Sequence, residues 1–342
     1  MRVLLLLLLS LFMLSAFSAD NLLRWHDAQH YTVQASTPLK AKRAWKLCAL
    51  YPSLKDSYWL SLNYGMQEAA RRYGVDLKVL EAGGYSQLAT QQAQIDQCKQ
   101  WGAEAILLGS STTSFPDLQK QVASLPVIEL VNAIDAPQVK SRVGVPWFQM
   151  GYQPGRYLVQ WSHGKPLNVL LMPGPDNAGG SKEMVEGFRA AIAGSPVRIV
   201  DIALGDNDIE IQRNLLQEML ERHPEIDVVA GTAIAAEAAM GEGRNLKTPL
   251  TVVSFYLSHQ VYRGLKRGRV IMAASDQMVW QGELAVEQAI RQLQEQSVSD
   301  NVSPPILVLT PKNADREHIR RSLSPGGFRP VYYYQHTSAA KK

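Results

Sequence analysis

The chain predicts an α/β fold of two doubly wound parallel-sheet lobes with a ligand cleft between them. Two observations carry this. From Trp45 onward, short apolar runs alternate with segments whose apolar residues recur every three or four positions, the rhythm of strand and covering helix. That alternation runs through twice in succession, which yields two sheets rather than one. Ligands of such sheets bind at the carboxyl ends of the strands.

The organising stretch is Lys46 to Ala82. An apolar run, Leu47 to Tyr51, precedes a turn with Pro52 and Asp56. Then Trp59, Leu62, Met66, Ala69, Ala70 and Tyr73 mark one face of a helix that Gly74 ends. Val75 to Ala82 is a second buried strand, so the unit is βαβ, with Asp56, Tyr58 and Trp59 in its first loop.

The first series continues with a helix over Gln87 to Trp101, a strand at Ala105 to Leu108, a helix at Phe115 to Val122, and strands at Val127 to Val131 and Val143 to Val145. The second series has helices at Gln149 to Trp161, Lys182 to Ile192, Ile209 to His223 and Trp280 to Gln294. Ile211, Leu215, Met219 and Leu220 form the apolar side of the third. Its strands are Leu167 to Met172, Arg198 to Ala203, Val228 to Ala230, Leu250 to Phe255, Ile271 to Ser275 and Ile306 to Leu309. The expected domains are an N-terminal lobe of 45–143 plus 276–302 and a C-terminal lobe of 144–275 plus 303–330, with 331–342 as a tail. Residues 19–44, with a short strand at Tyr31 to Ala35, are an extension packed on the outside or offered to a partner.

The first 18 residues carry one charge, Arg2, then an apolar stretch, then Ala16-Phe17-Ser18: a secretory signal peptide. No later segment reaches the roughly 18 apolar residues of a membrane span. The expected location is the periplasm. There Cys48 and Cys98 meet an oxidising environment, and both a disulfide and two buried thiols remain open. The 342 residues are 46% hydrophobic and 19% charged, with a net charge of +4 that is not concentrated; nucleic acid is not implied.

Catalytic and metal motifs are lacking. Seven histidines are scattered without zinc spacing, and no G-x-S-x-G elbow occurs, so neither an enzyme nor a cofactor is expected. The loop Pro173 to Glu183 departs from both phosphate-binding glycine patterns and reads as a tight turn capped by Ser181 or Asn177. Arg263, Lys266, Arg267 and Arg269 gather at one helix end as a solvated surface.

The informative residues are aromatic. Tyr58 and Trp59 follow the first strand, Tyr85 the second, Trp147 the fifth, and Tyr256 follows Leu250 to Phe255. Packing explains any one of them. Four loops agreeing place them at one cleft, with Asp56 as a carboxylate beside them.

From Trp45 to about Pro330 the chain resembles type I periplasmic binding proteins of the ribose class. The resemblance rests on YPSLKDSYWLSLNYGMQEAARRYGV, SRVGVPWFQMGYQPGRYLV, Met184 to Phe188, TVVSFYLSHQVYRGLKRGRV and SDQMVWQGELAVEQAI. It implies two lobes joined by three crossings and closing on a small ligand. The sugar-gripping positions depart from that family. Pro146-Trp147 stands for Asp-Asn, Met184 for an Arg, Tyr256 for an Asp, and Thr232-Ala233 for Asn-Asp. Sugar hydroxyls would lack partners, at a cost of several kcal/mol.

A box of aromatics with one carboxylate suits a quaternary ammonium or methylated amine. With extension and tail included, the chain also resembles the periplasmic partners of membrane sensor histidine kinases in trimethylamine N-oxide (TMAO) signalling. That resemblance implies TMAO as ligand and the kinase's periplasmic domain as partner. By analogy Tyr58, Trp59, Tyr85, Trp147 and Tyr256 would enclose the methyls, and Asp56 or a tyrosine hydroxyl would meet the polar end. Asp276 and Gln277 would sit at the third crossing, within reach of the cleft. The alternative is a transport receptor that delivers a methylated-amine osmolyte to an ABC permease.

Overall fold

The protein is described from a computed structural model, which covers residues 21–136, 139–176, 180–243 and 249–337. The signal peptide and Asn177 lie outside the described residues. A hairpin, β1 (Asn21–Trp25) and β2 (Tyr31–Ala35), comes first. The first series is β3 (Lys46–Tyr51), α1 (Ser57–Tyr73), β4 (Asp76–Glu81), α2 (Leu88–Trp101), β5 (Ala105–Leu108), α3 (Leu118–Val122), β6 (Val127–Val131) and β7 (Ser141–Gly144). The second begins with α4 (Trp147–Ser162), β8 (Leu167–Gly174), α5 (Ser181–Ile192), β9 (Val197–Leu204) and α6 (Ile209–Arg222). It continues with β10 (Val228–Gly231), α7 (Ala233–Glu242), β11 (Thr251–Ser254), α8 (His259–Lys266) and β12 (Met272–Ser275). The chain closes with α9 (Met278–Leu293), β13 (Val302–Ser303), β14 (Leu307–Leu309), α10 (Arg316–Ile319) and β15 (Tyr333–Tyr334).

Two sheets result: a nine-stranded one ordered β15-β4-β3-β5-β6-β7-β13-β1-β2 and a six-stranded one ordered β14-β12-β11-β10-β8-β9. The central strands of both pair in parallel, and their apolar runs are buried. This is the two-sheet α/β fold that the alternation predicts. Glycines set the helix pairs: a Cβ on Gly65 of α1 would stand 1.9 Å from the Val279 carbonyl oxygen of α9, and one on Gly151 of α4 equally close to that of Met184 on α5. Cys48 on β3 and Cys98 on α2 form a disulfide and are not two buried thiols.

The chain passes between the sheets at β7–α4, β12–α9 and β13–β14, the three crossings that the resemblance implies. It passes once more, from β14 to β15. Residues expected to be a mere tail add an edge strand to β4, and Asn63 of α1 holds Val331 through both its backbone N–H and its carbonyl, at 2.9 and 3.0 Å. The extension likewise enters the first sheet, because β1 pairs with β13.

Three local expectations change. On α6 the buried residues are Gln212, Leu216 and Met219, while Ile211 is 43% exposed. The Gln212 carboxamide donates to the carbonyls of Gly205 and Asp206 at 3.0 and 2.9 Å, which favours this rotation. α3 begins only after Asp117, whose φ of 59° interrupts the expected longer helix. α5 is capped by Gly180 in a left-handed conformation, and Ser181 instead donates its hydroxyl to the Pro173 carbonyl at 2.9 Å.

Candidate functional site

A cavity lies where the carboxyl ends of the two sheets meet. It is lined by Asp56 and Tyr58 after β3, Tyr85 after β4, Val131 and Asn132 at the end of β6, and Trp147 after β7. From the second sheet come Pro173 and Pro175 at the end of β8, Asn207 after β9, Thr232 after β10 and Tyr256 after β11. Its free space is small: a water-sized sphere can place its centre within about 20 Å³, where one water needs about 10–15 Å³.

Of the six residues singled out in the sequence, Asp56, Tyr58, Tyr85, Trp147 and Tyr256 line this cavity. Trp59 does not. It is fully buried behind the wall, where its Nε1 donates to the Tyr85 hydroxyl at 3.0 Å and its ring lies 5.3 Å from that of Tyr51. Tyr85, accepting that hydrogen bond, keeps its own proton to donate.

Local chemistry places each wall. Asp56 caps α1 by accepting from the Tyr58 N–H at 2.9 Å, so the start of the helix sets where the carboxylate and the Tyr58 ring stand. Tyr58 and Tyr256 meet edge to face with centroids 5.4 Å apart, a ring contact between a helix of the first sheet and a loop of the second. The Trp147 Nε1 donates to the Val131 carbonyl at 3.3 Å. Val131 has φ of 61°, rare for a β-branched residue, and such strain gathers at functional sites. The Trp147 indole also covers Gly180, where a Cβ would come within 2.0 Å of the ring.

Asp276 and Gln277 lie outside the lining, at the β12–α9 crossing, which is the second along the chain and not the third. Asp276 is fully buried and receives the Tyr58 hydroxyl and the Gln281 Nε2, each at 2.6 Å. Gln277, left-handed at φ 60°, donates to the Pro305 carbonyl at 2.7 Å and so ties two crossings together.

The cavity favours positive charge. Asp56 is its carboxylate, with a pKa raised by burial from 3.8 to about 6 and lowered in part by the Tyr58 N–H. Burial first, and the Asp56 charge second, raises Tyr85 and Tyr256, which keeps both hydroxyls neutral. The side-chain oxygens of Asn132 and Asn207 are buried without partners. Neither asparagine stands out in the sequence, and Thr232 does so only as the loss of a sugar-binding pair. All three follow strand ends, the position that singled out the aromatics. Among the described residues no cluster of His, Cys, Asp and Glu could hold a metal ion.

Residues 44–337 match the family described as periplasmic binding proteins and sugar binding domain of LacI family. The chain belongs to the periplasmic binding protein family. Over its full 342 residues, and all of the relative's, it is 98% identical to the periplasmic protein TorT of Escherichia coli strain K12. Among solved structures it resembles a TorS sensor domain–TorT complex in the absence of ligand, with 44% identity, a TM-score of 0.79, and coverage of 84% of this chain and all of that one. The same complex in the presence of TMAO gives 43%, 0.78, 84% and 99%. An ABC transporter solute binding protein from Bradyrhizobium sp. BTAi1 with bound bis-tris gives 34% and 0.79, covering 92% and 98%. The family and the curated relative are periplasmic, as the leader implies for this chain. No described helix is long and apolar enough to cross a membrane.

Proposed function

We propose that the chain is a ligand-binding sensor subunit that takes TMAO into this cavity. With the periplasmic domain of the sensor histidine kinase TorS, it then induces the TMAO reductase system. The observation that carries the ligand is the wall itself: four aromatic side chains, one buried carboxylate and unpartnered amide oxygens. Ring faces attract methyls on a positive nitrogen. The Tyr85 hydroxyl, with its proton free, suits the oxide oxygen. The partner reading is supported by the solved complexes of TorT with the TorS sensor domain.

The mechanism is a population shift. Tyr58–Tyr256 and Trp147–Val131 are contacts between the two halves that a guest between the rings stabilises, so the ligand favours the closed arrangement. The kinase domain reads the difference if ligand and partner are linked through that arrangement. The chain itself performs no turnover: TMAO incubated with it should be recovered unchanged. Titration of the TorS sensor domain into the mature chain, with and without TMAO, tests the coupling. Ligand-dependent affinity supports the mechanism, and identical affinities contradict it.

One observation favours a second reading, the likeness to the ABC transporter solute binding protein. A substrate-binding protein for a methylated-amine osmolyte would share fold and box. Affinity capture from solubilised membranes separates the two: a sensor kinase supports the first, a permease the second.

A further inference from the structure

A second cavity, of about 230 Å³, opens to the surface between the β1–β2 turn, the β7–α4 crossing and the first turn of α5. Trp25, Asp27, Arg142, Trp147, Phe148 and Glu183 are the side chains that give it character. Among the described residues Trp147 alone lines both cavities. Whatever displaces that indole from the ligand side changes the shape of the outer cavity.

The outer walls are also fastened to the crossings. The Trp25 Nε1 donates to the Ser303 hydroxyl at 2.7 Å, its backbone N–H to the Asn301 carbonyl at 3.0 Å, and Arg24 pairs with Asp300 at 2.8 Å. The Gln149 Nε2 reaches from α4 to the Ala28 carbonyl at 3.4 Å. Trp25 and Asp27 belong to the first sheet's side and Glu183 to α5 beside the second, so a relative motion of the two sheets reshapes the space between them.

Its chemistry selects a cation. Three aromatic side chains form walls, and two carboxylates stand with them. Asp27 is held ionised, its pKa lowered to about 2 by the Gln29 N–H first and then by His30. The Arg142 charge is taken up by Glu129 at 3.0 Å, so it does not oppose a positive guest. Beside the opening, Tyr31 and Val33 of β2 are 49% and 59% exposed, and the Tyr31 ring lies 4.9 Å from Trp25. These exposed apolar side chains on an edge strand fit a macromolecular face rather than a free solute.

We propose that this cavity is the socket for a lysine or arginine side chain of the partner's sensor domain, which reads the ligand through the Trp147 indole that both cavities share. It rests on the reading that the chain works with such a partner. The test uses the full mature chain, the purified sensor domain and the double variant Asp27→Asn/Glu183→Gln, in which the amide oxygen introduced in place of the Asp27 carboxylate still accepts the turn's N–H groups. Binding of the sensor domain should weaken about tenfold, while TMAO binding by the variant alone stays as in the parent. A sensor affinity equal to the parent's, with TMAO binding intact, overturns the socket and leaves the sensor reading standing. A parent chain that binds no sensor domain overturns both. If the variant fails to fold, a photoreactive residue at exposed position 28 decides: crosslinking to the sensor domain supports the socket, and none overturns it.

Discussion

The Tyr58 hydroxyl donates to the Asp276 carboxylate at 2.6 Å, joining a wall of the cavity to the crossing between the sheets. Gln281 donates to the same oxygen at 2.6 Å. All three residues are buried, so Asp276→Ala would orphan the Tyr58 hydroxyl, at about 1–3 kcal/mol, while the Gln281 Nε2 keeps its bond to the residue 276 carbonyl. Tyr58→Phe should cost less, since Gln281 still serves the carboxylate. Denaturant unfolding of the two variants checks the order.

Asp56 makes both stability and affinity depend on pH. Its folded pKa of about 6 lies above the ordinary 3.8, so the folded chain keeps a proton that the unfolded chain has released. The stabilisation from this group is complete below the unfolded value and is lost as pH rises through about 6. The positive nitrogen of TMAO prefers the ionised carboxylate, so TMAO affinity should fall as pH drops below about 6. Asp56→Asn, which still caps α1, should flatten both profiles, read by thermal melts and titrations between pH 5 and 7.

The rings should separate by position. Trp147→Ala and Tyr256→Ala each remove a cavity wall and should weaken TMAO binding by about 0.5–2 kcal/mol, or about 2- to 30-fold. Trp59→Phe removes only the hydrogen bond to the Tyr85 hydroxyl and keeps a ring beside Tyr58, so it should weaken binding less. Gly109→Ala would put a Cβ 2.5 Å from the Trp59 ring and destabilise the fold by about 1–3 kcal/mol. A Trp59→Phe loss as large as that of Trp147→Ala would contradict this division.

The disulfide closes a loop with a sequence separation of 50, which constrains the unfolded chain by about 4 kcal/mol in the loop-entropy account. Cys48→Ala/Cys98→Ala should lower the unfolding midpoint by a corresponding amount. TMAO affinity should hardly change, because neither cysteine lines the cavity.

Much of this was legible because periodicity is local. The α1 face from Trp59 to Tyr73 and the left-handed Gly74 follow from spacing alone. α7 was missed because AIAAEAAMGE is small and apolar on nearly every side, which leaves no period to detect. β13 and β15, two residues each, exist through pairing across the chain, with β7 and β1 and with β4, which no window reveals. At the site, the strand-end rule located Tyr58, Tyr85, Trp147 and Tyr256 together. It could not tell that Trp59, one residue beyond Tyr58, turns the other way along the helix to support Tyr85 from behind. Asn132 and Asn207 were overlooked because a single amide in a loop carries no pattern until burial leaves its oxygen unpartnered.

Calorimetric titration of TMAO into the mature chain, the Trp147→Ala variant and the Tyr256→Ala variant decides whether these aromatic walls bind a methylated positive nitrogen. Saturable binding by the parent and weaker binding by each variant whose fold is intact is the expected result. No binding by the parent, or equal binding by all three, would contradict it.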